Sequence, residues 1–411
     1  MVIISMKKVD HIYTGSLTSI VGPSGTIRRI LKNSTRLKED GLDVSVFNHG
    51  RIYKDWDDNV FSSFKPKVKS RKHSLKLTLD VWAKKSRWLS IALMEYGRIG
   101  RKKAIEEYLK LDRKADVVVF HSDQDAYFYL NFKKETKAKT ACFFHSDSLP
   151  MEMFYNYYPK LRGSNYAKKM EKKYGNVVEN VDRCVFICEK GKENMNRLFP
   201  ISVNKSALVI NGIDELTADQ KEESLKIANA RVDDRIRLVT VGSVSMRKGQ
   251  RLILEAMAKL PTDVKKKYFL TIIGEGPDME YCKKYAKENG LDDIVEFTGA
   301  IPNIEVYKHL AGDDVFVLMS NNEGLPISII EAMRSGLAVL ATNVSGIPEL
   351  VTYNNGVLVE VSAEQLYEVL LHPENYDWSA MGKASREFFE KKYTFERMLG
   401  DYVKMIQSIS L

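Results

Sequence analysis

Long apolar runs are missing from this sequence: none of its stretches approaches the ~18 apolar residues that a bilayer-spanning helix needs. Cysteine is scarce. The four cysteines, Cys142, Cys184, Cys188 and Cys282, lack the spacing of a metal site and are too few for a disulfide framework in a chain of 411 residues. Cys184 and Cys188 fall on one face of a predicted strand, Arg183–Ile187, and are expected to be buried packing residues in a reducing compartment. The apolar start, Val2–Met6, is too short for the hydrophobic region of a secretory signal, so the expected location is cytoplasmic. Acidic residues are also short of basic ones, 54 against 63.

That imbalance is local. Residues 51–114 hold 18 Lys and Arg against 8 Asp and Glu, a surplus of ten that exceeds the +9 of the whole chain. Aromatic and aliphatic residues are interleaved with these charges in the run from Trp82 to Met94, as in a basic amphipathic element that rests on an anionic surface. Peripheral association with the inner face of the plasma membrane is therefore expected. A solvated helical face and a nucleic-acid contact are the competing readings of the same charge, and no nucleic-acid partner is expected because nothing but charge supports one.

The length exceeds the size at which one hydrophobic core keeps growing, which predicts two domains. Strands are predicted at Val9–Tyr13, Asp43–Phe47, Asp116–Phe120, Lys139–Phe144 and Arg183–Ile187, with helices at Thr26–Glu39 and Ser164–Lys173; this first domain should close near Pro200. A second series begins with the strand Ala207–Ile210 and continues through Arg237–Val241, Phe269–Ile273, Val295–Phe297 and Asp314–Met319, separated by helical periodicities. Strands alternating with helices predict an α/β fold with two doubly wound, Rossmann-like parallel sheets.

One stretch carries the chemistry. In Ser320-Asn-Asn-Glu-Gly-Leu-Pro-Ile-Ser-Ile-Ile-Glu-Ala-Met333, Glu323 and Glu331 stand with seven residues between them, in a loop and in the helix that follows it. The mouth of a parallel sheet is a ligand crevice, and the first N–H groups of the following helix favour a phosphate. Two carboxylates there can accept hydrogen bonds from sugar and ribose hydroxyls. The loop Gly242-Ser-Val-Ser-Met-Arg-Lys-Gly249 also follows a strand and precedes a helix, so Arg247 and Lys248 would face the same crevice and match a pyrophosphate.

Together with Gly324, Pro326 and the strand-and-turn Gly336–Glu349, this stretch resembles the donor-site signature of the retaining family 4 glycosyltransferases of GT-B fold. The resemblance is strongest from about Ala207 to Glu360 and weaker over Val9–Gly41 and Cys142–Ile187, and residues 51–114 align with nothing in the family. It implies two Rossmann-like domains facing a cleft: an acceptor-side domain over residues 1–200 with 51–114 as a basic insertion, a donor-binding domain over 201–387, and a helix over 388–411 returning to the first domain. By the family pattern Lys248 would bind the donor diphosphate; Ser243 stands where the family usually has arginine, and Arg247 would supply that charge from a neighbouring position. Glu323 would hold sugar hydroxyls and Glu331 the ribose. Asn322, Gly324, Leu325, Pro326 and Ile327 would line the donor, with Gly274 and Gly276 as a cradle. Gly25, in Pro23-Ser-Gly-Thr26, would cover the donor, and His145 would face the reacting sugar. Asn211-Gly-Ile-Asp214 matches a family turn and is expected to be structural.

What the resemblance implies is transfer of a sugar from a nucleoside diphosphate, UDP first, to an acceptor hydroxyl with retained configuration. An anionic or lipid-linked glycan of the teichoic-acid, surface-polysaccharide or glycolipid kind is the expected acceptor. A protein acceptor, or a non-hydrolysing nucleotide-sugar epimerase of the same fold, are the alternatives. No cofactor or metal is expected: Asp123-Gln-Asp125 has the spacing of a metal-binding pair but lies in the other half of the chain from the diphosphate loop.

Overall fold

The computed structural model describes residues 6–17, 22–56, 82–133, 137–147 and 149–409. The chain divides into two compact units, one of residues 1–210 with 399–411 and the other of residues 211–398. In the first, seven strands are hydrogen-bonded in the order β3-β2-β1-β4-β5-β6-β7. They are β1 Lys7–Ile12, β2 Leu42–Asn48, β3 Arg51–Tyr53, β4 Val117–Phe120, β5 Lys139–Phe144, β6 Arg183–Phe186 and β7 Ser206–Leu208. All pairs are parallel except β2 with β3.

The second unit holds six parallel strands: β8 Ile236–Val241, β9 Tyr268–Ile273, β10 Val295–Gly299, β11 Val315–Leu318, β12 Ala338–Thr342 and β13 Gly356–Val359. Their order is β10-β9-β8-β11-β12-β13. Central strands such as Val-Val-Val-Phe in β4 and Val-Phe-Val-Leu in β11 are buried at every position, as a parallel sheet covered by helices on both faces requires. Helix starts are set by side-chain caps: Ser122 Oγ accepts from Gln124 N at 3.3 Å, and Thr217 with Gln220 forms a reciprocal capping box.

Three expectations change. The strand expected to open the second domain closes the first sheet instead, because β7 pairs with β6 and Val209 N donates to Phe186 O at 2.8 Å. The helix expected over Thr26–Glu39 is two helices, Pro23–Lys32 and Ser34–Glu39; Pro23 starts the first, and the Asn33 amide donates to Arg29 O at 2.9 Å where the turn between them breaks. Of the basic segment, residues 57–81 lie outside the described residues, and the rest contains the helix Arg87–Lys110. Among the described residues no helix is long and apolar enough to cross a membrane. The last helix, Phe395–Gln407, starts in the second unit, and its residues from 399 belong to the first.

Candidate active site

In the second unit the chain winds outward from β8 through β9 to β10, then returns to place β11 on the other side of β8. The loops leaving β8 and β11 therefore share the crevice at the switch point, the usual ligand position in an open parallel sheet. They are bolted together. Gly249 has φ +73°, and a Cβ there would lie 2.0 Å from Met319 O, so only glycine permits the approach. Asn321 N donates to Arg247 O at 3.0 Å, and Arg247 Nη1 donates to Asn322 O at 2.9 Å.

Glu323 is the hub of this junction. Its Oε1 accepts from Arg247 Nη1, from Lys248 Nζ and from Ser320 Oγ, each at 2.8 Å. Burial alone would raise the carboxyl pKa, but the charges of Lys248 and Arg247, with hydrogen bonds from Lys248 and Ser320, carry it below the ordinary value. The carboxylate is thus ionised between two cations, one buried and one a third exposed, and the cluster keeps a net positive charge. Gln250 was not foreseen from the sequence. It is buried beneath the loop, its Nε2 donating to Ser243 O at 3.3 Å and its Oε1 accepting from Ser245 N at 3.1 Å. Ser243 itself is exposed.

Gly274 and Gly276, after β9, have a different reason for being glycine than the approach of a ligand. A Cβ at Gly274 would lie 1.8 Å from Gly242 O, and one at Gly276 2.2 Å from Val244 O. Val244 N donates to Glu275 O and Asp278 N to Val244 O, both at 3.1 Å, so a third loop locks onto the diphosphate-loop candidate. Leu325 and Pro326 are buried, and Ile327 is the first residue of the helix Ile327–Arg334. Glu331 lies in that helix, half-buried, accepting from Asn303 Nδ2 at 3.3 Å. Ser328, in its first turn, keeps a buried hydroxyl without a partner among the described residues, a polar atom that a ligand at this helix start could satisfy. Asn211-Gly-Ile-Asp214 is a structural turn: Ile213 N donates to Tyr393 O at 3.0 Å, and Gly212 leaves no room for a Cβ against Thr394 O.

In the first unit the ends of three neighbouring strands each carry a histidine. His145 follows β5, His121 follows β4, and His11 lies in β1. His145 Nε2 is 2.9 Å from His121 Nδ1, His121 Nε2 is 2.8 Å from His11 Nδ1, and His11 Nε2 is 2.6 Å from Tyr402 Oη. The rings stack at centroid spacings of 5.1 and 5.2 Å. Burial holds His11 and His145 down to about 3, and holds His121 well below the usual histidine range, so all three are neutral. Only His145 was anticipated from the sequence.

Gly25 lies in the first turn of the helix Pro23–Lys32 and not in the preceding loop; Gly22, at φ +62°, makes the turn, and residues 18–21 lie outside the described residues. Asp125 is fully buried and accepts from Thr14 Oγ1 at 2.8 Å and from Arg101 Nη1 at 3.2 Å, tying the loop after β1 to the helix Arg87–Lys110. The Asp-x-Asp spacing therefore has a structural use. A pocket beside it is lined by Arg98, Asp123, Tyr127, Ser146, Met151 and Lys173 among others, mixing cations with aromatic and apolar walls.

The fold is a two-sheet framework of GT-B type with a charged crevice in its second unit. Residues 221–388, within the second unit, match the family described as Glycosyl transferases group 1. An uncharacterised glycosyltransferase of Methanocaldococcus jannaschii is 27% identical over 208 residues, 49% of this chain and 51% of its own. A GDP-mannose-dependent alpha-(1-6)-phosphatidylinositol monomannoside mannosyltransferase of Mycobacterium tuberculosis is 30% identical over 190 residues, 42% of this chain and 49% of its own. The chain thus spans about half the length of the curated relatives it matches. Over 98% of this chain and 100% of its own, the Anabaena protein HepE, solved in complex with UDP, has the same fold with a TM-score of 0.67 at 14% identity.

Proposed function

We propose that this protein is a retaining glycosyltransferase that moves a sugar from a nucleoside-diphosphate donor to an acceptor hydroxyl. The observation that carries the reading is the sharing of one Glu323 oxygen by Arg247, Lys248 and Ser320 at the switch point of the second sheet. A diphosphate entering there meets two cations already positioned, whose charge offsets the negative charge that grows on the leaving group as the glycosidic bond breaks. The start of the helix Ile327–Arg334 adds unpaired N–H groups to the same task. As the cations turn to the diphosphate, Glu323 becomes available to sugar hydroxyls, and Glu331 to the ribose. With fixed cations in place, no metal is required in this reading and no side chain is assigned as a base.

UDP is the first donor candidate because a solved protein of this fold holds it; the mycobacterial relative, named for GDP-mannose, makes GDP the second. For the acceptor, the helix Arg87–Lys110 supports a lipid-linked or anionic glycan at a membrane surface. Its outer stripe, Trp88, Ala92, Tyr96, Ile99 and Lys103, is exposed throughout, with Trp88 at 82% and Tyr96 at 78%. Trp82, Lys84, Lys85 and Arg87 are exposed just before it or at its start. Aromatic rings beside lysines suit the interface of an anionic leaflet. A panel of UDP- and GDP-sugars, assayed without acceptor for free nucleoside diphosphate and repeated with excess EDTA, tests the reading. Release from one donor that survives chelation is expected; no release from any, or release restored only by Mn²⁺, overturns it.

A further inference from the structure

The cavity beside Asp123 lies wholly within the first unit and measures about 90 Å³, several times the space that one water needs. Arg98 reaches it from the helix Arg87–Lys110, in the stretch that aligns with nothing in the family; Asp123, Gln124 and Tyr127 come from the helix Asp123–Phe132, and Lys173 from the helix Asn165–Asn180. Arg98 is 4% exposed, with its guanidinium 4.9 Å over the Phe128 ring. Its Nε is 3.3 Å from Glu95 Oε1 but has no hydrogen-bond partner among the described residues, and that glutamate oxygen already accepts from Tyr166 Oη at 2.7 Å. Lys173 is less well matched still. Its Nζ lies 5.1 Å over the Tyr127 ring and forms no ion pair among the described residues, while burial, and after it the charge of Arg98, lowers its pKa. Two neighbouring cations in a partly closed wall are costly until something negative comes between them.

The rest of the lining narrows what that something is. Asp123 works against a second anionic group, such as a diphosphate carries, and in favour of hydroxyl donors; Gln124 can donate to a hydroxyl or accept from one. Tyr127 and Phe154 add flat apolar faces of the kind that the C–H face of a sugar ring covers. We propose that this cavity binds a monosaccharide unit bearing one anionic group, a phosphate or a carboxylate, with Arg98 and Lys173 taking the anion and Asp123 and Gln124 the hydroxyls. Calling that unit part of the acceptor glycan rests on the glycosyl-transfer reading; the binding rests on the cavity alone.

Ligand-observed NMR titrations of the full chain, with no nucleotide sugar present, test it with glucose 6-phosphate, glucuronate, glucose and inorganic phosphate. Both charged sugars should bind about tenfold more tightly than glucose or phosphate. Arg98 is packed against aromatic rings, so the half-buried Lys173 carries the mutational arm: Lys173→Gln should weaken the charged sugars about tenfold, the low end for a contact to a charged group, and leave glucose unchanged. Lys248→Gln, in the second unit, should leave all four unchanged. Methyl glucuronide, blocked at O1 as a unit within a chain is, should bind as well as glucuronate, and its exclusion overturns the assignment to a glycan. Phosphate binding as tightly as glucose 6-phosphate overturns the sugar half. Charged sugars no tighter than glucose, or a loss in Lys248→Gln without one in Lys173→Gln, overturns the site. If no donor is turned over, the glycosyl-transfer reading fails and the titrations still decide the cavity.

Discussion

At the ends of β8 and β11 two cations converge on one carboxylate oxygen, whereas at the ends of β1, β4 and β5 three uncharged rings stand in a row. The sheets are built alike, and both clusters occupy strand ends near the switch point of their own sheet. Their physics differs. The charged cluster is held by partners that an incoming anion can recruit, so its contacts are exchangeable. The neutral row is held by single protons in fixed positions, indifferent to ions and vulnerable to one extra proton. In the second unit the backbone fixes the site through glycine contacts; in the first, side chains do.

Acid should separate the two most strongly. Between pH 6.5 and about 3 an unfolded histidine binds a proton that the buried rings refuse, so the first unit loses stability as pH falls through this window. The loss is about 1.4 kcal/mol per pH unit for a fully buried ring, or on the order of 2 kcal/mol at pH 5 for His11 alone. Glu323 has the same sign in a lower window: its pKa is also depressed, so its stabilisation is intact above the unfolded carboxylate value and is lost as pH falls from there through the lower folded value. Hydrogen exchange should therefore show β4 and β5 amides losing protection between pH 6.5 and 5 while β11 and β12 amides hold. Simultaneous loss would break the contrast.

The next largest effect belongs to the backbone. Gly274→Val adds a side chain to φ +138° and drives it into Gly242 O, a cost of about 3 kcal/mol in thermal or urea unfolding. Gly290→Ala, at φ +63° with nothing within 4 Å, should cost only about 1 kcal/mol.

Within the charged cluster the two glutamates should part company. Losing a hydrogen bond to a charged group costs about 1.5–3 kcal/mol, roughly 10- to 150-fold. Glu331→Ala is expected to show that loss in nucleotide affinity, measured by calorimetry. Glu323→Ala should show it in turnover while free nucleoside diphosphate binds at least as well as to the wild type, since Arg247 and Lys248 lose their competitor. Equal, small effects in both variants would remove the assignment.

The smallest effect concerns the outer stripe of Arg87–Lys110. Trp88→Ala should weaken sedimentation with anionic liposomes by about 1 kcal/mol, near fivefold, and leave nucleotide release unchanged.

The charged crevice was legible in the sequence because its parts are contiguous: a strand, a loop with two cations, and a loop with Glu323 leading to Glu331 each announce themselves within about 15 residues. What was not legible is what the side chains do before a ligand arrives. Nothing in the spacing says that Arg247 and Lys248 close on Glu323, or that Gln250 props the loop from beneath. The histidine row was half visible. His11, His121 and His145 each sit at or near the end of a strand that the sequence predicts, and asking which strands are neighbours would have put them together; Tyr402 lies 391 positions from His11, and only the folded chain brings it there. The start of the first helix misled because Pro23 opens it three residues before the expected Thr26, and Ser206–Leu208 misled because an apolar strand does not say which sheet it joins.

The three loops of the second unit interlock through Gly249 under Met319 O, Gly274 under Gly242 O and Gly276 under Val244 O. Recombination between relatives must respect that joinery. A single loop imported from a relative would arrive with its carbonyls aimed at the wrong partner, so the three are exchangeable as a cassette and not one at a time, and variation among relatives should be carried by side chains displayed on a common backbone.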